Sequence, residues 1–415
     1  MGMIDRLMNR VSTETLLNQP GMQEFRADLQ KQAIDEYEKL LAKLEASKRV
    51  PEKIALVKSS MGLLKLQLGE RKEGLRLVNE GLGALEKLHE KDPENGLLLT
   101  NLSKVKTEIG RAYFDQHDYQ KARASLQEAL ALRTELVSLE PDNIEAGQLL
   151  ANAEMNLGLL HDETQEPSLA LPHYEAADKK RRQLLGKQPE NASVLRDQAK
   201  GLTALGMFHV KQNNLKRGEE CYEEARKAFA KLSERKDRQL DDLLNLGICW
   251  KLLGDIAAIR NGKNDLALAI DRYFEGVRGL DELVSANSSM RVYRGTLGKA
   301  RLNLAQLLSR AKQHHEAFAM LTIALDELQK LRIEDPAFEK YPGKVMLELL
   351  RLKKYNKLNS DDLKELDQWI DFATTENGKA WFREVERTVA SAPEYPPALL
   401  PEESELFTPR PESRR

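Results

Sequence analysis

Histidines are the residues of this chain whose type and spacing come nearest to a metal site. His314 and His315 are adjacent, but neighbouring side chains on a helix point about 100° apart and chelate a metal poorly. His161 and His209 stand at equivalent positions of an internal repeat, which favours a packing role for both. We therefore predict no metal site and no bound cofactor.

Signatures of phosphate or thiol chemistry are also missing from the sequence. A kinase needs a glycine-rich loop, a strand lysine and aspartates for catalysis and metal binding, and none of these motifs occurs. Gly81-Leu82-Gly83 lies inside a predicted helix. Two cysteines, Cys221 and Cys249, are too few for a disulfide framework or a four-thiolate zinc site, so we expect them to pack inertly. The sequence predicts a protein that is not an enzyme.

The composition limits the class of partner. The chain has 415 residues, of which 64 are Lys or Arg and 66 are Asp or Glu. A general nucleic-acid binder usually shows a basic excess, so this balance disfavours binding to RNA or DNA. No run approaches the roughly 18 apolar residues of a membrane span, and no secretory signal is evident. We expect a soluble, cytoplasmic protein that binds neither membrane nor nucleic acid.

The helices that must position the polar residues are predicted by an internal repeat. Inside the predicted helices glycine recurs at a constant interval, and a sixth copy has alanine after a shift of three residues. These positions are Gly62, Gly110, Gly158, Gly206, Gly254 and Ala305. Glycine costs a helix about 1 kcal/mol relative to alanine, so its recurrence requires a packing reason. The interval of about 48 residues indicates stacked helical hairpins.

Each copy also has two small residues flanking a bulky one, after the predicted hairpin turn. The small residues are Gly74 and Gly81, Ala122 and Ala129, Ala170 and Ala177, Gly218 and Ala225, Ala269 and Gly276, and Ala317 and Ala324. The bulky residues are Val78, Leu126, Tyr174, Tyr222, Tyr273 and Leu321. Two helices that cross closely need small side chains where their backbones approach. We predict that the bulky residue fills the space that the small residues leave.

Prolines and asparagines predict where the helices end and begin. Pro93, Pro141 and Pro189 cannot continue a helix, and the asparagine two residues after each can cap the next one. The predicted hairpins pair 51–68 with 71–90, 96–115 with 119–139, 144–163 with 167–187, 192–212 with 215–235, 238–260 with 264–286, and 289–312 with 315–334.

The two ends of the chain depart from the repeat. We predict a lead-in over residues 1–20, a solenoid over 21–335 that begins with a lone capping helix, a C-terminal helical cap over 336–392, and a disordered proline-rich tail over 393–415. Near the C-terminus, aromatic residues recur on two predicted helices, at Trp369, Trp381 and Phe382. We interpret them as the cover of the last repeat, with a partner-binding stripe as the alternative.

The small-large-small spacing and the Leu-Gly step over residues 51–335 resemble the tetratricopeptide repeat. The resemblance implies an all-α, right-handed helical-hairpin solenoid of six extended repeats with terminal caps. Two features depart from that family, whose unit has about 34 residues and a terminating proline at another place. The additional length of each unit, about 14 residues, should lengthen both helices of the hairpin.

In the tetratricopeptide family the first helices line a concave groove, and mixed amide, cation and methionine walls suit peptides. Carried over by register, the candidate groove residues are Arg111, Phe114, Asn152, Met155, Asn156, Lys200, Thr203, Met207, Lys251 and Asn303. Some members grip a C-terminal carboxylate, and two pairs of residues, Asn156 with Lys200 and Lys251 with Asn303, match parts of that clamp. Ala204 replaces its arginine and Asp255 replaces an asparagine, so we favour a solvated polar wall over such a clamp.

The segment from Leu16 to Met22, with the long repeats after it, resembles the region that follows the catalytic domain in certain large bacterial serine/threonine kinases. This resemblance implies a non-catalytic chain. The sequence therefore predicts a protein-protein interaction scaffold that binds a peptide or protein in its groove. The alternative is a regulatory or sensor segment associated with a serine/threonine kinase.

Overall fold

The computed structural model describes residues 22–47, 51–68, 70–260, 262, 264–334, 338–374, 379–391 and 393. This part of the chain contains sixteen α-helices and no β-strand, which confirms the predicted all-α class. The predicted lead-in, 1–20, and the tail after Pro393 lie outside the described residues.

The helices follow one another with short connections. They are α1 (Met22–Ser47), α2 (Pro51–Gln67), α3 (Arg71–Lys91), α4 (Gly96–Asp115), α5 (Tyr119–Leu139), α6 (Ile144–Glu163), α7 (Pro167–Lys187) and α8 (Ala192–Lys211). There follow α9 (Leu215–Ser233), α10 (Leu240–Arg260), α11 (Asp265–Ala286), α12 (Arg291–Arg310), α13 (His314–Glu334), α14 (Tyr341–Lys354), α15 (Ser360–Thr374) and α16 (Lys379–Ser391). Packing divides the described residues into two compact units, of which the first ends at Phe208 and the second begins at His209. In the first unit α2/α3, α4/α5 and α6/α7 form hairpins; in the second, α10/α11 and α12/α13 do so.

Side-chain caps mark the start of several helices. The amide oxygens of Asn95, Asn143 and Asn191 accept hydrogen bonds from the backbone N–H three residues on, at 3.1, 3.2 and 3.2 Å. These are the asparagines that the sequence predicts as caps after each proline, and the prediction is confirmed. Asp118 and Asn214 cap second helices in the same way, both at 3.3 Å. Each cap satisfies a backbone donor that the helix itself leaves unpaired.

Four turns between consecutive helices share one backbone geometry that the sequence does not predict. His117, Gln165, Asn213 and Lys312 each have a positive φ, between 58° and 64°. The next residue in every case donates its N–H to the carbonyl five residues earlier, at 2.8 to 2.9 Å. This bond is the mark of a Schellman helix end, in which the left-handed residue usually is glycine. Here none of the four is glycine.

The small residues lie where helices cross. Ala122, Ala129, Ala170 and Ala177 have no exposed surface, and the bulky residues between them are buried as well. At Gly158 an added Cβ would stand 3.0 Å from the ring of the bulky residue in the same hairpin. At Gly81, a small residue of the pattern on α3, an added Cβ would stand 2.5 Å from the carbonyl oxygen of Ala55 on α2, so the two backbones approach closely there, as predicted.

In the first unit, α1 packs on the first hairpin. Ala33, Ile34 and Tyr37 are buried against a cluster that includes Val57 and Met61. This arrangement covers apolar side chains of α2 and α3 that would otherwise face water.

In the second unit, one hydrophobic core joins the hairpins to the C-terminal helices. Val345, Leu366 and Phe382 belong to the same buried cluster as residues of α12 and α13, and Trp369 packs against it half-buried. The side chain of Trp381 lies outside the described residues.

Candidate functional site

A pocket of about 330 Å³ opens between the first helices of two neighbouring hairpins in the first unit. We call it the α4–α6 pocket. From α4 it is lined by Lys104, Thr107, Glu108 and Arg111, from α5 by Arg133, and from α6 by Leu149, Asn152, Met155 and Asn156. Four of these, Arg111, Asn152, Met155 and Asn156, are among the residues that the repeat register predicts for a groove. Residues three and four apart on one helix share a face, so the spacing 152, 155, 156 places these side chains together.

The charges at the mouth of the pocket are exposed and weakly paired. Lys104 Nζ lies 3.3 Å from a carboxylate oxygen of Glu145, and Arg111 Nη1 lies 3.3 Å from Glu108. Ion pairs of this kind in water contribute about 0–1 kcal/mol and exchange readily with other partners. They leave both cations available to a ligand.

The inner wall contains a buried arginine. Arg133 is only 3% exposed, and it donates hydrogen bonds to the carbonyl oxygen of Leu149 at 2.9 Å and to the hydroxyl of Thr107 at 2.7 Å. All its hydrogen-bond partners are neutral, and no carboxylate of the described residues forms an ion pair with it. Burial lowers the pKa of Arg133 to about 10, because water no longer solvates the charge. The group nevertheless stays charged at neutral pH.

A second buried arginine stands behind the pocket. Arg181 on α7 is 4% exposed and donates through Nη2 to the amide oxygen of Asn152 at 2.9 Å. Its Nε and Nη1 have no hydrogen-bond partner among the described residues. Nη1 lies against Gly201, where a side chain would displace it. Burial lowers the pKa of Arg181 too.

The two asparagines of the pocket keep hydrogen-bond donors for a ligand. Because Arg181 occupies the oxygen of Asn152, the amide NH₂ of that residue is the part left to meet a ligand. Asn156 forms no side-chain hydrogen bond to any described residue and is half-buried in the pocket. With Met155 between them, these amides can bind polar groups of a chain beside an adaptable apolar surface.

The remaining predicted groove residues of the first unit lie outside the pocket lining. Phe114 packs edge-on against Tyr119, with ring centroids 5.7 Å apart. Thr203 is buried and donates to the carbonyl of Ala199 at 3.0 Å. Lys200 is exposed on α8, and Met207 is half-buried on the same helix. Their assignment to a groove stays a prediction.

The two predicted groove residues of the second unit take part in a buried polar network. Lys251 is 2% exposed, and its ammonium lies 2.6 Å from Asp255. The hydroxyl of Tyr273 donates to the same carboxylate, and the amide of Asn303 donates to that hydroxyl at 3.1 Å. The carboxylate of Asp255, which the sequence predicts at the position of a clamp asparagine, is therefore bound by Lys251 and Tyr273.

Arg133 and Arg181 are the site residues that the sequence interpretation missed. They lie on α5 and α7, the second helices of adjacent hairpins, at positions where the sequence pattern leads one to expect apolar packing. The recurrence of arginine at a position expected to be apolar is the sequence signal that could have indicated these residues. Elsewhere, both repeated histidines and both cysteines are buried, as expected for packing residues.

Two features of the described residues bear on other kinds of site. No three His, Cys, Asp or Glu side chains in the described part of the chain are arranged to hold a metal ion. No helix among these residues is both long and apolar enough to span a bilayer.

Comparison with known proteins gives one family match. The family model of the tetratricopeptide repeat matches residues 105–145, which include the α4/α5 hairpin turn and the start of α6. No curated protein matches the sequence.

Several solved structures resemble the fold. The nuclear import adaptor Nro1 of S. pombe aligns with a TM-score of 0.47 and 13% identity, covering 70% of this chain and 98% of that one. The apo quorum sensor NprR of B. thuringiensis aligns at 0.42 and 14%, covering 86% and 91%. A tetratricopeptide repeat protein of Parabacteroides merdae aligns at 0.38 and 19%, covering 80% and 99%. The family match thus covers part of one hairpin, α4/α5, and the hairpins α2/α3 and α6/α7 stand on either side of it in the chain.

Proposed function

We propose that the α4–α6 pocket binds a peptide segment of a partner protein, and that the chain is a non-catalytic scaffold. The observation that carries this proposal is the pair of half-buried amides, Asn152 and Asn156, with unused hydrogen-bonding capacity beside Met155. A peptide in extended form offers carbonyl and N–H groups at regular intervals, and amide side chains can pair with both. Stacked repeats commonly present such surfaces to proteins.

Binding to an array of random decapeptides tests this function. The full chain, labelled with a fluorophore, is applied to the array, and hits are measured in solution by fluorescence anisotropy. We expect Asn156→Ala to weaken the hits about tenfold, the effect of losing one or two hydrogen bonds to the ligand. Gln120→Ala, an exposed amide outside the pocket, is the matched control and should leave affinity unchanged. Peptides whose affinity is as insensitive to the Asn156 change as to the control would exclude the pocket as the binding site.

We also propose an extended repeat of about 48 residues as the structural unit. Supporting it, α4, α6, α8 and α10 begin at Gly96, Ile144, Ala192 and Leu240, and Arg133 and Arg181 occupy equivalent places. A chain in which a second copy of 144–191 replaces 96–143 tests the period. The product should melt cooperatively, and a loss of cooperativity would show that these segments are not equivalent units.

The alternative function is regulation of a serine/threonine kinase in the cytoplasm. Its support is the resemblance of the segment from Leu16 to Met22, nearly all of which lies outside the described residues. A kinase encoded near this chain would change its rate of phosphate transfer when the chain is added. An unchanged rate at saturating concentration would remove this alternative and leave peptide binding in place.

A further inference from the structure

We propose that the α4–α6 pocket recognises an acidic side chain of its peptide, with Arg133 as the counter-charge and Asn152 as a positioned donor. This inference rests on the proposed peptide binding and specifies its chemistry. The ligand class is a peptide with an internal Glu or Asp.

The first step is the charge of Arg133, which has no ion-pair partner among the described residues. A buried cation is costly unless an anion compensates it. Two other buried cations of the described residues have such an anion, since Lys251 binds Asp255 and Arg351 binds Glu348. Arg181 resembles Arg133 in having none among these residues, but it lies behind the pocket and not in its lining. Arg133 hydrogen-bonds only neutral oxygens, although it lines an open pocket. A carboxylate that enters the pocket supplies the missing counter-ion.

The second step is the charge of the lining as a whole. Lys104, Arg111 and Arg133 carry positive charge, and Glu108 is the one acid among the lining residues. Glu108 forms an ion pair with Arg111 and acts on Arg133 only through space, without a bond. The lining therefore keeps an excess of positive charge. A low-dielectric wall strengthens the attraction of these cations for an anion.

The third step is the orientation of Asn152. A free amide could present either its oxygen or its NH₂ group, and the oxygen would repel a carboxylate. The bond from Arg181 holds the oxygen, so the NH₂ group faces the ligand. Arg181 acts here as a positioning residue, since it reaches the ligand only through Asn152.

The size and composition of the pocket favour a peptide over a bare anion. Its volume of about 330 Å³ far exceeds the roughly 30 Å³ that one water occupies in the liquid, so an inorganic anion would fill little of the space. Leu149 and Met155 add apolar surface that a small anion cannot use but the aliphatic part of a Glu side chain and its neighbours can.

Pairs of decapeptides that differ only in charge test the inference. Each peptide that binds on the array is made in three versions. The first has Glu and the second has Gln at the acidic position, both with an amidated C-terminus. The third has Gln at that position and a free C-terminal carboxylate. Fluorescence anisotropy of the labelled peptides gives Kd with the full chain. We expect the Glu peptide to bind about tenfold more tightly than the Gln peptide, a difference that shrinks as salt is raised.

Variants of the protein show which residues produce the preference for the Glu peptide. Arg133→Met keeps the buried volume and should reduce the Glu-over-Gln preference to within about twofold. Lys104→Glu, at an exposed position outside the core, should weaken the Glu peptide about tenfold. Lys179→Glu makes the same charge change on exposed α7 surface outside the pocket and should have no effect.

The outcomes separate the two proposals. Glu and Gln peptides that bind equally well would overturn the acidic preference and leave peptide binding intact. If the Gln peptide with a free C-terminal carboxylate bound more tightly than the amidated Glu peptide, the assignment to an internal acid would be overturned. No binding by any peptide would overturn both.

Discussion

The backbone of Gly254 lies directly against the ring of Tyr273, so that an added Cβ would stand 2.5 Å from Cδ2 of that ring. Tyr273 has no exposed surface, and its hydroxyl is held by Asp255 and Asn303. The ring therefore cannot retreat without breaking a buried network. Glycine at this crossing is a steric requirement of the hairpin.

Gly254→Ala should destabilise the protein although alanine favours helices. Overpacking of this kind costs about 1–3 kcal/mol, which exceeds the gain of at most about 1 kcal/mol from helix propensity. Urea denaturation followed by circular dichroism measures the change. Gly279→Ala is the control, because a Cβ added to Gly279 on α11 would meet no atom within 4 Å. It should gain about 0.5–1 kcal/mol. Equal effects at both positions would contradict the steric argument.

Ala177→Leu should disrupt the corresponding crossing in the first unit. Ala177 has no exposed surface, so the larger side chain must displace its neighbours, at about 1–3 kcal/mol. Thermal melting measures the loss. Lys179→Leu adds the same side chain to an exposed position of the same helix and should change the free energy of unfolding by less than about 0.5 kcal/mol. A melting temperature unaffected by Ala177→Leu would mean that the helices do not approach there.

Removal of Asp255 alone should lower the free energy of unfolding far more than removal of both Asp255 and its ion-pair partner Lys251. Asp255→Ala leaves the ammonium of Lys251 buried without an anion, at about 3–5 kcal/mol. The double variant Lys251→Met, Asp255→Ala removes that charge as well and should lose clearly less. Chemical denaturation of the single variants and the double variant forms a complete cycle. Additive losses would show that the two residues do not interact.

Alkaline pH should destabilise the fold through its buried tyrosines. Burial raises the pKa of Tyr174, and it raises the pKa of Tyr222 and Tyr273 well above the ordinary value of 10.0. A folded-state pKa above the unfolded one contributes stability that is fully present below about pH 10 and declines as pH rises beyond it. Tyr174→Phe should make the free energy of unfolding fall less steeply above about pH 10.

The ultraviolet absorbance of tyrosinate offers a direct check of the same prediction. Of the ten tyrosines, these three should ionise only as the chain unfolds. Ionisation of all ten in one step near the ordinary pKa of tyrosine, with the helical signal intact, would contradict it.

The fold is largely predictable from the sequence because its determinants are local. Closely approaching backbones leave room only for Gly or Ala. The asparagine caps that follow Pro93, Pro141 and Pro189 bind a backbone N–H only three residues further along the chain. Both signals are visible in a single sequence. The turns cannot be predicted in the same way, because no glycine marks the left-handed residue at His117 and Gln165. Hydrogen bonds at the helix end set the conformation of that residue instead.

The candidate site is predictable only in part. Helical periodicity places Asn152, Met155 and Asn156 on one face, and the structure puts them in one pocket. The roles of Arg133 and Arg181 depend on contacts between different helices. Sequence spacing places the two arginines at corresponding positions of the predicted repeat, but their burial and their neutral partners emerge only from the packed structure.

The left-handed turns offer attachment points for spectroscopic probes. Gln165 and Lys312 are exposed at their hairpin ends, where the backbone conformation depends on main-chain hydrogen bonds. Cys221 and Cys249 are buried, so a thiol introduced at either turn would react first with a maleimide dye. A dye at Gln165 would then report on the unit that contains the pocket, and one at Lys312 on the unit that does not.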